Sequence, residues 1–258
     1  MGTRAGASRA AQEKRALEME IKEKVAVVTG AGRGIGRQIA LDLAAKGARL
    51  AICARTAENI RKVAGEAEAL GAECLPVEAD LSTLEGVRRL ADAALSRFGT
   101  ANILVNDAGM MVGDGIAGVT ESDWDKTFAL NVKAAMFLSQ ALLPYMERAR
   151  CGYIVNICST VALGAKPEVM SYSASKYALM GLSEALYKEG RRRGVRVSSV
   201  YPGVTDTPLL RAAADKPCPP ELWMQPEDIA RCVLFLLESP ERMVVKDIVP
   251  WSTGFDEI

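Results

Sequence analysis

Three side chains in the second half of the chain have the types and spacing that proton transfer requires. Tyr172 lies four residues before Lys176 in the stretch "SYSASKYALM", and residues at that spacing share one face of a helix. Ser159 lies thirteen residues before Tyr172, and a loop of that length can return a hydroxyl to the side of the phenol. The alternative is that Tyr172 and Lys176 form only a surface contact.

The chain contains no histidine. Ser-His-Asp and Cys-His catalysis and imidazole zinc sites are therefore excluded, and acid-base chemistry must come from a carboxylate, Lys, Cys or Tyr. A phenol has a pKa of about 10, and lowering it by about 2 to 3 pH units requires about 3 to 4 kcal/mol. An ammonium about 4 Å away, at an effective dielectric of about 20, supplies about 4 kcal/mol. As an upper-range value, the charge of a lysine beside a tyrosine is therefore large enough to lower the pKa of the phenol by that amount.

Seven short strand-like runs alternate with longer helical patterns from Val25 onward. This alternation predicts an α/β fold, a Rossmann-type doubly wound, seven-stranded parallel sheet with helices on both faces, in a single domain of residues 21–258. The predicted strands are "VAVVT", "RLAIC", "ECLPVEA", "NILVN", "GYIVNIC", "VRVSSV" and "MVVKDIV". The predicted helices cover residues 36–46, 57–70, 84–98, 122–147, 172–193 and 226–238.

The first predicted strand continues into a glycine-rich turn, "TGAGRGIG", that opens a helix. Gly30, Gly34 and Gly36, with Ile35 between the last two, allow a tight turn and a close approach of a pyrophosphate to the helix N-terminus. This context indicates a dinucleotide site. The alternative is a tight turn that binds no ligand.

The residues after the second strand bear on which dinucleotide binds. Ala54 stands where a carboxylate would accept hydrogen bonds from the ribose of NAD, whereas Arg55 follows it and Arg33 lies in the glycine turn. Two guanidinium groups suit a 2′-phosphate. The pattern therefore favours NADP(H), with NAD(H) as the alternative.

The next two strands end in residues that suit the adenosine half of the cofactor. Asp80 and Leu81 in "EADLS" reach the carboxyl edge of the sheet, where an adenine amino group could be recognised. Asn106, Ala108 and Gly109 in "NDAG" lie on the same edge and would allow the nucleotide to lie close. Open α/β sheets bind ligands at this edge.

Together these motifs make the chain resemble the short-chain dehydrogenase/reductase family. "TGAGRGIG" matches the family's TGxxxGxG, "YSASK" its YxxxK, and "YPGVTDT" its PG-x-x-x-T segment. The match runs from about Val25 to Ile248 and includes Asn131 in "ALNVKAAMF". The motifs occur in one order at family-like spacing.

The resemblance implies an NADP(H)-dependent oxidoreductase that interconverts a carbonyl and a secondary alcohol. Tyr172 would be the general acid or base, and Ser159 would bind the substrate oxygen. Lys176 would assist the phenol and hold the nicotinamide ribose, and Asn131 would hold a water in a proton relay. Four further residues would fix the nicotinamide, namely Pro202, Gly203, Thr205 and Thr207.

A more specific resemblance is to 3-oxoacyl-acyl-carrier-protein reductases, whose substrate is an acyl thioester on a carrier protein. Arg150 and Arg193 fall where those relatives carry basic residues, although such arginines are also ordinary surface charges. Two features depart from the family pattern. Asp107 replaces the commoner Asn of NNAG, and the end of the chain lacks the usual Asp-Gly-Gly.

Composition restricts the partners. Lys+Arg and Asp+Glu are balanced at 32 each, which disfavours nucleic acid and anionic membranes. Six scattered cysteines without a CxxC pair indicate reduced thiols and a cytoplasmic protein without a metal site. Residues 1–20 are Ala-rich without apolar periodicity, and they are expected to form a disordered extension.

The substrate groove is expected to be apolar, with residues 208–225 as a lid. A ketone or secondary alcohol with a hydrophobic body is the expected small-molecule substrate. The family's long helices, here 122–147 and 172–193, imply a homodimer or homotetramer. A non-catalytic dinucleotide sensor is the alternative of another class, and an extended sugar-nucleotide enzyme would need a larger substrate domain. The expected groove residues are Met110, Met111, Leu163, Met170, Leu209, Trp223 and Met224.

Overall fold

Seven parallel strands form one sheet in a computed structural model that describes residues 20–113, 115–212 and 220–253. The strand order is β3-β2-β1-β4-β5-β6-β7, which confirms the predicted doubly wound fold. The predicted disordered extension falls almost wholly on residues 1–19, which lie outside the described residues. The strands are β1 (Val25–Thr29), β2 (Arg49–Ala54), β3 (Cys74–Glu78), β4 (Ile103–Asn106), β5 (Gly152–Ile157), β6 (Val195–Val200) and β7 (Asp247–Ile248).

Helices cover both faces of this sheet, and alternate strand residues pack on opposite layers. Val28 and Ile52 face one core, whereas the neighbouring Val27 and Ala51 face the other, as the two-residue period of a strand requires. The helices are α1 (Gly34–Ala45), α2 (Ala57–Ala69), α3 (Leu84–Phe98), α4 (Gly115–Gly118), α5 (Glu121–Phe128), α6 (Ala134–Arg148), α7 (Met170–Arg193), α8 (Pro208–Arg211) and α9 (Pro226–Glu238). Helices α1, α2 and α9 pack on one layer, and α3 and α6 on the other.

The helix predicted over residues 122–147 is not one regular α-helix. A π-helical segment, Ala129–Lys133, separates α5 from α6. One wider turn of this kind is common at functional sites, and here it contains Asn131. The other long helix, α7, is continuous and ends at Gly194 in the left-handed conformation, with φ of 70°.

The C-terminal segment continues along the edge of β6 beyond the short strand β7. Ser199, Tyr201 and Gly203 donate backbone hydrogen bonds to the carbonyls of Lys246, Ile248 and Pro250. The predicted seventh strand is therefore present but only two residues long. Within the part of the chain that the structure describes, no helix combines the length and apolar character needed to cross a membrane.

Candidate active site

The candidate site lies at the carboxyl edge of the sheet, around the point where the chain reverses its direction of winding. Strands β2 and β3 lie on one side of β1, whereas β4 to β7 lie on the other. The residues that follow β1 and β4 therefore border one crevice. Open α/β sheets bind their ligands at such a switch point.

The glycine turn between β1 and α1 packs closely against the end of β4. Gly30 and Gly34 have positive φ angles of 69° and 60°, which side chains rarely adopt. A Cβ added at Gly30 would lie 2.9 Å from the backbone nitrogen of Ala108. The turn thus needs glycine both for its conformation and for its contact with the predicted "NDAG" segment, while Ile35 lies partly buried at the start of α1.

Gly36 leaves no room for a side chain. A Cβ there would lie 2.6 Å from Oδ2 of Asp107 and 2.7 Å from the carbonyl oxygen of Gly30. We expect Gly36→Ala to displace the turn, to lower the free energy of unfolding by about 2 kcal/mol or more, and to weaken dinucleotide binding. Thermal unfolding and fluorescence titration with NADPH measure both effects.

Gly65 provides the matched control for that substitution. It lies on the exposed face of α2, and a Cβ there would meet nothing within 4 Å. We expect Gly65→Ala to raise stability by about 0.5 to 1 kcal/mol and to leave NADPH binding unchanged. Equal effects of the two substitutions would contradict the steric argument.

Thr29 links the two strand ends, and the sequence interpretation did not select it. Its hydroxyl oxygen lies 3.0 Å from the backbone nitrogens of Asp107 and Ala108, which donate to it, and 3.3 Å from the carbonyl oxygen of Val105, to which it donates. In the sequence, its position at the end of a predicted buried strand is the feature that could have pointed to Thr29. Thr29 thereby holds the "NDAG" segment against the glycine turn.

The two arginines predicted to bind a 2′-phosphate are both exposed near the end of β2. A Cβ added at Gly32 would lie 2.9 Å from the Cβ of Ala54, which brings the glycine turn to that strand end. Among the described residues, neither Arg33 nor Arg55 forms an ion pair. Both guanidinium groups therefore remain open to an anion.

Asp80 and Leu81 follow β3 on the same side of the crevice. Hydrogen bonds from the backbone and hydroxyl of Ser82 hold the pKa of Asp80 below its usual range, with a smaller contribution from the charge of Arg55. Leu81 is buried and packs into the core. Asp80 is exposed and stays ionised at neutral pH, so its carboxylate is able to accept a hydrogen bond from an amino group.

Tyr172 and Lys176 lie one turn apart at the start of α7, and both are largely buried. Their exposed fractions are 8% and 4%, and Nζ of Lys176 lies 5.5 Å from the centroid of the Tyr172 ring. The same ammonium donates to the carbonyl of Ile157 at 2.9 Å. The end of β5 therefore holds Lys176 in place, and a plain surface contact is not what the structure shows.

Ser159 follows β5 two residues after that carbonyl. Its hydroxyl accepts a hydrogen bond from the backbone of Val161 at 3.3 Å, and so it caps a short 3-10 turn, Thr160–Ala162. The backbone of Thr160 donates to the carbonyl of Pro202. Ser159 is thus fixed on a loop between the start of α7 and the segment after β6, and its hydroxyl donates to no side chain or carbonyl of the described residues.

Asn131 occupies the π-helical segment and is buried, with 2% exposure. Its amide oxygen accepts from the backbone of Met110 at 2.8 Å, and its amide nitrogen donates to the carbonyl of Met110 and to the hydroxyl of Ser175. A Cβ added at Gly109 would lie 3.4 Å from Oδ1 of Asn131 and 3.8 Å from Nζ of Lys176. The side chain of Asn131 thus ties the end of β4 to α7 beside the Tyr172 and Lys176 pair.

The strand end of β4 also contributes the other amide of the predicted site. Asn106 is buried, and its amide nitrogen donates to Oδ1 of Asn156 at 2.8 Å. Asn156 in turn donates to the hydroxyl of Ser183 on α7. This buried chain of bonds links the Asn106 side chain to β5 and α7.

The segment after β6 crosses in front of the glycine turn. A Cβ added at Gly34 would lie 3.5 Å from the side chain of Thr207, whose hydroxyl caps α8 by accepting from Leu210. Pro202 and Thr205 are buried, and the backbone N–H of Gly203 is already donated to Pro250. Of this predicted group, Thr207 has the position most open to a ligand at the turn.

The expected groove walls differ in exposure. Leu163 is 41% exposed, whereas Trp223 is 6% exposed. Trp223 therefore packs against the protein rather than lining an open groove. The next residue holds this segment in place, because the backbone of Met224 forms hydrogen bonds with Val204 and Asp206, on either side of Thr205. In the predicted lid, α8 and the turn at 220–222 belong to the described residues, whereas residues 213–219 lie outside them.

The thiol next to Ser159 is not ionised at neutral pH. Cys158 adjoins Ser159, but burial raises the pKa of its thiol to about 11, so it stays protonated at neutral pH. The Cys158 thiol therefore does not supply a thiolate beside Ser159. Across residues 20–113, 115–212 and 220–253, no three His, Cys, Asp or Glu side chains cluster as metal ligands.

Comparisons with known proteins agree with this arrangement. The family model described as short chain dehydrogenase matches residues 24–217. A sepiapterin reductase from Chlorobaculum tepidum is 37% identical over 240 residues, which cover 90% of this chain and 97% of the relative. That relative is similar along nearly its whole length.

Two solved structures are also similar. The L-sorbose reductase of Gluconobacter frateurii, in a complex with NADPH and L-sorbose, has a TM-score of 0.85 at 29% identity and covers 94% of this chain and all of its own. The alcohol dehydrogenase of the archaeon Thermococcus sibiricus, in a complex with 5-hydroxy-NADP, has a TM-score of 0.84 at 28% identity, covering 92% and 100% of the two chains.

Proposed function

The chain belongs to the short-chain dehydrogenase family and is an oxidoreductase, and from that premise we propose that it interconverts a ketone and a secondary alcohol with NADP(H). The observation that carries the proposal is the buried pair of Tyr172 and Lys176, with the ammonium held on the carbonyl of Ile157 at 2.9 Å. A protein that only binds a dinucleotide has no need of a buried phenol and ammonium at that position.

The residues of the site divide the proton chemistry between them. Tyr172 gives its proton to the carbonyl oxygen during reduction and removes it from the alcohol during oxidation. Lys176 stabilises the phenolate by its charge. Ser159 donates a hydrogen bond to the substrate oxygen, and Asn131 holds Met110 and Ser175 in the positions that frame the pair.

The glycine turn and the two exposed arginines fit a phosphorylated dinucleotide. Gly34 and Gly36 allow a diphosphate to approach the N-terminus of α1, and Ala54 offers the ribose no carboxylate. Arg33 and Arg55 suit a 2′-phosphate, and the proposal is supported by two similar structures that hold NADPH and 5-hydroxy-NADP. When bound, the nicotinamide gives or takes the hydride, while Thr207 lies beside the turn that holds it.

We expect loss of both arginines to remove the preference for NADPH. Charge-assisted hydrogen bonds are worth about 1.5 to 3 kcal/mol each, so Arg33→Ala with Arg55→Ala would lower kcat/KM for NADPH about 100-fold or more. The kcat/KM for NADH, which lacks the 2′-phosphate, would change little. Steady-state kinetics with both cofactors measure the ratio.

Arg148 provides the matched control, because it is an exposed arginine at the C-terminal end of α6, just before the start of β5 and so at the opposite edge of the sheet. Arg148→Ala is expected to leave the cofactor ratio unchanged. A wild-type enzyme that prefers NADH would overturn the assignment of Arg33 and Arg55. NADPH binding without oxidation across ketones, 3-oxoacyl thioesters, quinones and sugars would instead favour a non-catalytic sensor.

The substrate proposed is a small carbonyl compound with an apolar body. Leu163 and Leu222 are exposed, at 41% and 38%, on segments next to the site. The alternative of an acyl thioester on a carrier protein depends on Arg150 and Arg193. Arg193 already pairs with Glu147 and Glu189 at 3.0 and 2.8 Å, which favours a structural role for it.

We also propose that the enzyme is a homodimer or homotetramer. The outer faces of α5, the π-helical segment and α6 form a largely apolar groove that includes Phe128, Met136, Phe137 and Leu182 of α7. A second copy of the chain would cover this face. Light scattering coupled to size exclusion measures the mass, and a monomer at micromolar concentration would contradict the proposal.

A further inference from the structure

Asp107, which departs from the family's usual Asn, lies against the glycine turn. A Cβ added at Gly36 would lie 2.6 Å from its Oδ2, and a Cβ added at Gly30 would lie 3.0 Å from the same atom. Its backbone N–H donates to the hydroxyl of Thr29 at 3.0 Å. The carboxyl group is therefore fixed beside the first turn of α1.

The charges around this carboxyl group are few. Burial raises the pKa of Asp107 to about 7, although the charge of Lys176 and the backbone N–H of Gly36 each lower it. Among the described residues, Lys176 of α7 is the charged group that acts on it. Its neighbours on β1 and α1, which are Thr29, Gly30 and Gly36, carry no charge. A pKa raised to about 7 by burial would place the change in protonation of Asp107 near neutral pH.

The same helix terminus is where a cofactor diphosphate would bind. Backbone N–H groups and the helix dipole favour one anion there. An ionised Asp107 already accepts a hydrogen bond from the N–H of Gly36, so that donor is no longer available to a second anion. A second anion nearby is then held less tightly, because like charges repel across a partly buried site. A protonated Asp107 exerts no such repulsion.

Resting on the proposed function, we propose that Asp107 is a positioning residue of the cofactor site, whose carboxyl group weakens diphosphate binding when ionised and permits it when protonated. A rise in pH through the neutral range ionises the group, so the affinity for NADPH falls as the solution becomes more alkaline. We expect the dissociation constant to increase about tenfold between about pH 6 and pH 9, equivalent to about 1.4 kcal/mol.

The test compares NADPH binding by fluorescence titration over that pH range in wild type and in Asp107→Asn, which restores the family's usual amide. The variant is expected to bind NADPH more tightly than wild type at alkaline pH and to lose the part of the pH dependence that Asp107 causes. Asp42→Asn, which removes a carboxyl group from the last turn of α1, is the matched control and should keep the wild-type dependence.

The cofactor itself titrates, because a phosphate monoester has a second pKa near about 6. That contribution is common to wild type and both variants, so the difference between them isolates Asp107. Adenosine 2′-phosphate, which carries this phosphate but no diphosphate, provides a measurement without any variant. Its affinity for wild type should fall less than that of NADPH as the pH rises.

Different results would contradict the proposed function and the role of Asp107. Wild-type protein that binds no NADPH at any pH would contradict the proposed function and this inference together. Tight NADPH binding that does not change with pH, an Asp107→Asn variant with the wild-type slope, or equal pH slopes for NADPH and adenosine 2′-phosphate would contradict the role of Asp107 alone.

Discussion

Tyr172→Phe is expected to reduce turnover of the best carbonyl substrate about 1000-fold or more, in line with the loss of a general acid. Removing one oxygen leaves the ring in place, and Tyr172 is only 8% exposed. NADPH binding should therefore persist. Stopped-flow and steady-state assays of NADPH oxidation, with a fluorescence titration for binding, measure both quantities.

Tyr177→Phe is the matched control for this substitution. Tyr177 lies on the same helix, α7, and is 39% exposed, so removal of its hydroxyl should leave turnover and binding unchanged. Turnover near the wild-type value in Tyr172→Phe would contradict the assignment of the phenol as acid and base. Loss of NADPH binding in that variant would point instead to a structural role.

Lys176→Met is expected to reduce turnover about 100-fold or more at neutral pH, because the phenolate loses the positive charge that stabilises it. Met keeps a similar length and apolar stem, although the carbonyl of Ile157 loses its donor at 2.9 Å. Steady-state assays of NADPH oxidation at neutral pH measure the loss.

Lys188→Met provides the corresponding control on α7. Its ammonium pairs with Glu184 at 2.9 Å, and its side chain is 68% exposed, so turnover should not change. Turnover near the wild-type value in Lys176→Met would contradict the electrostatic role. It would leave Lys176 as a contact to the ribose or as a packing group.

The local patterns predicted most of the fold. Strand and helix periods repeat within a few residues, so the seven strands and the bounds of α3 and α9 followed directly from the chain. The glycine turn and the spacing of Tyr172 and Lys176 are also local, because each lies within a single turn of backbone. These features located the candidate site at the carboxyl edge of the sheet.

The π-helical segment around Asn131 was not predictable in the same way. Residues 122–147 have an ordinary helical pattern, and the interruption accompanies bonds from Asn131 to Met110 and Ser175. Those partners lie 21 and 44 residues away. The burial of Trp223 also depends on a contact between distant segments, because its neighbour Met224 pairs with Thr205 in the segment after β6.

By itself the sequence determined the order of the elements, the glycine turn and the pair of Tyr172 and Lys176, because these depend on neighbours along the chain. Only the tertiary structure decided that Asp107 lies against Gly30 and Gly36, at a helix terminus suited to an anion. That contact joins β4 to the turn after β1, and its effect on the carboxyl group arises from burial and from Lys176. Long-range packing, which no short pattern encodes, created this environment.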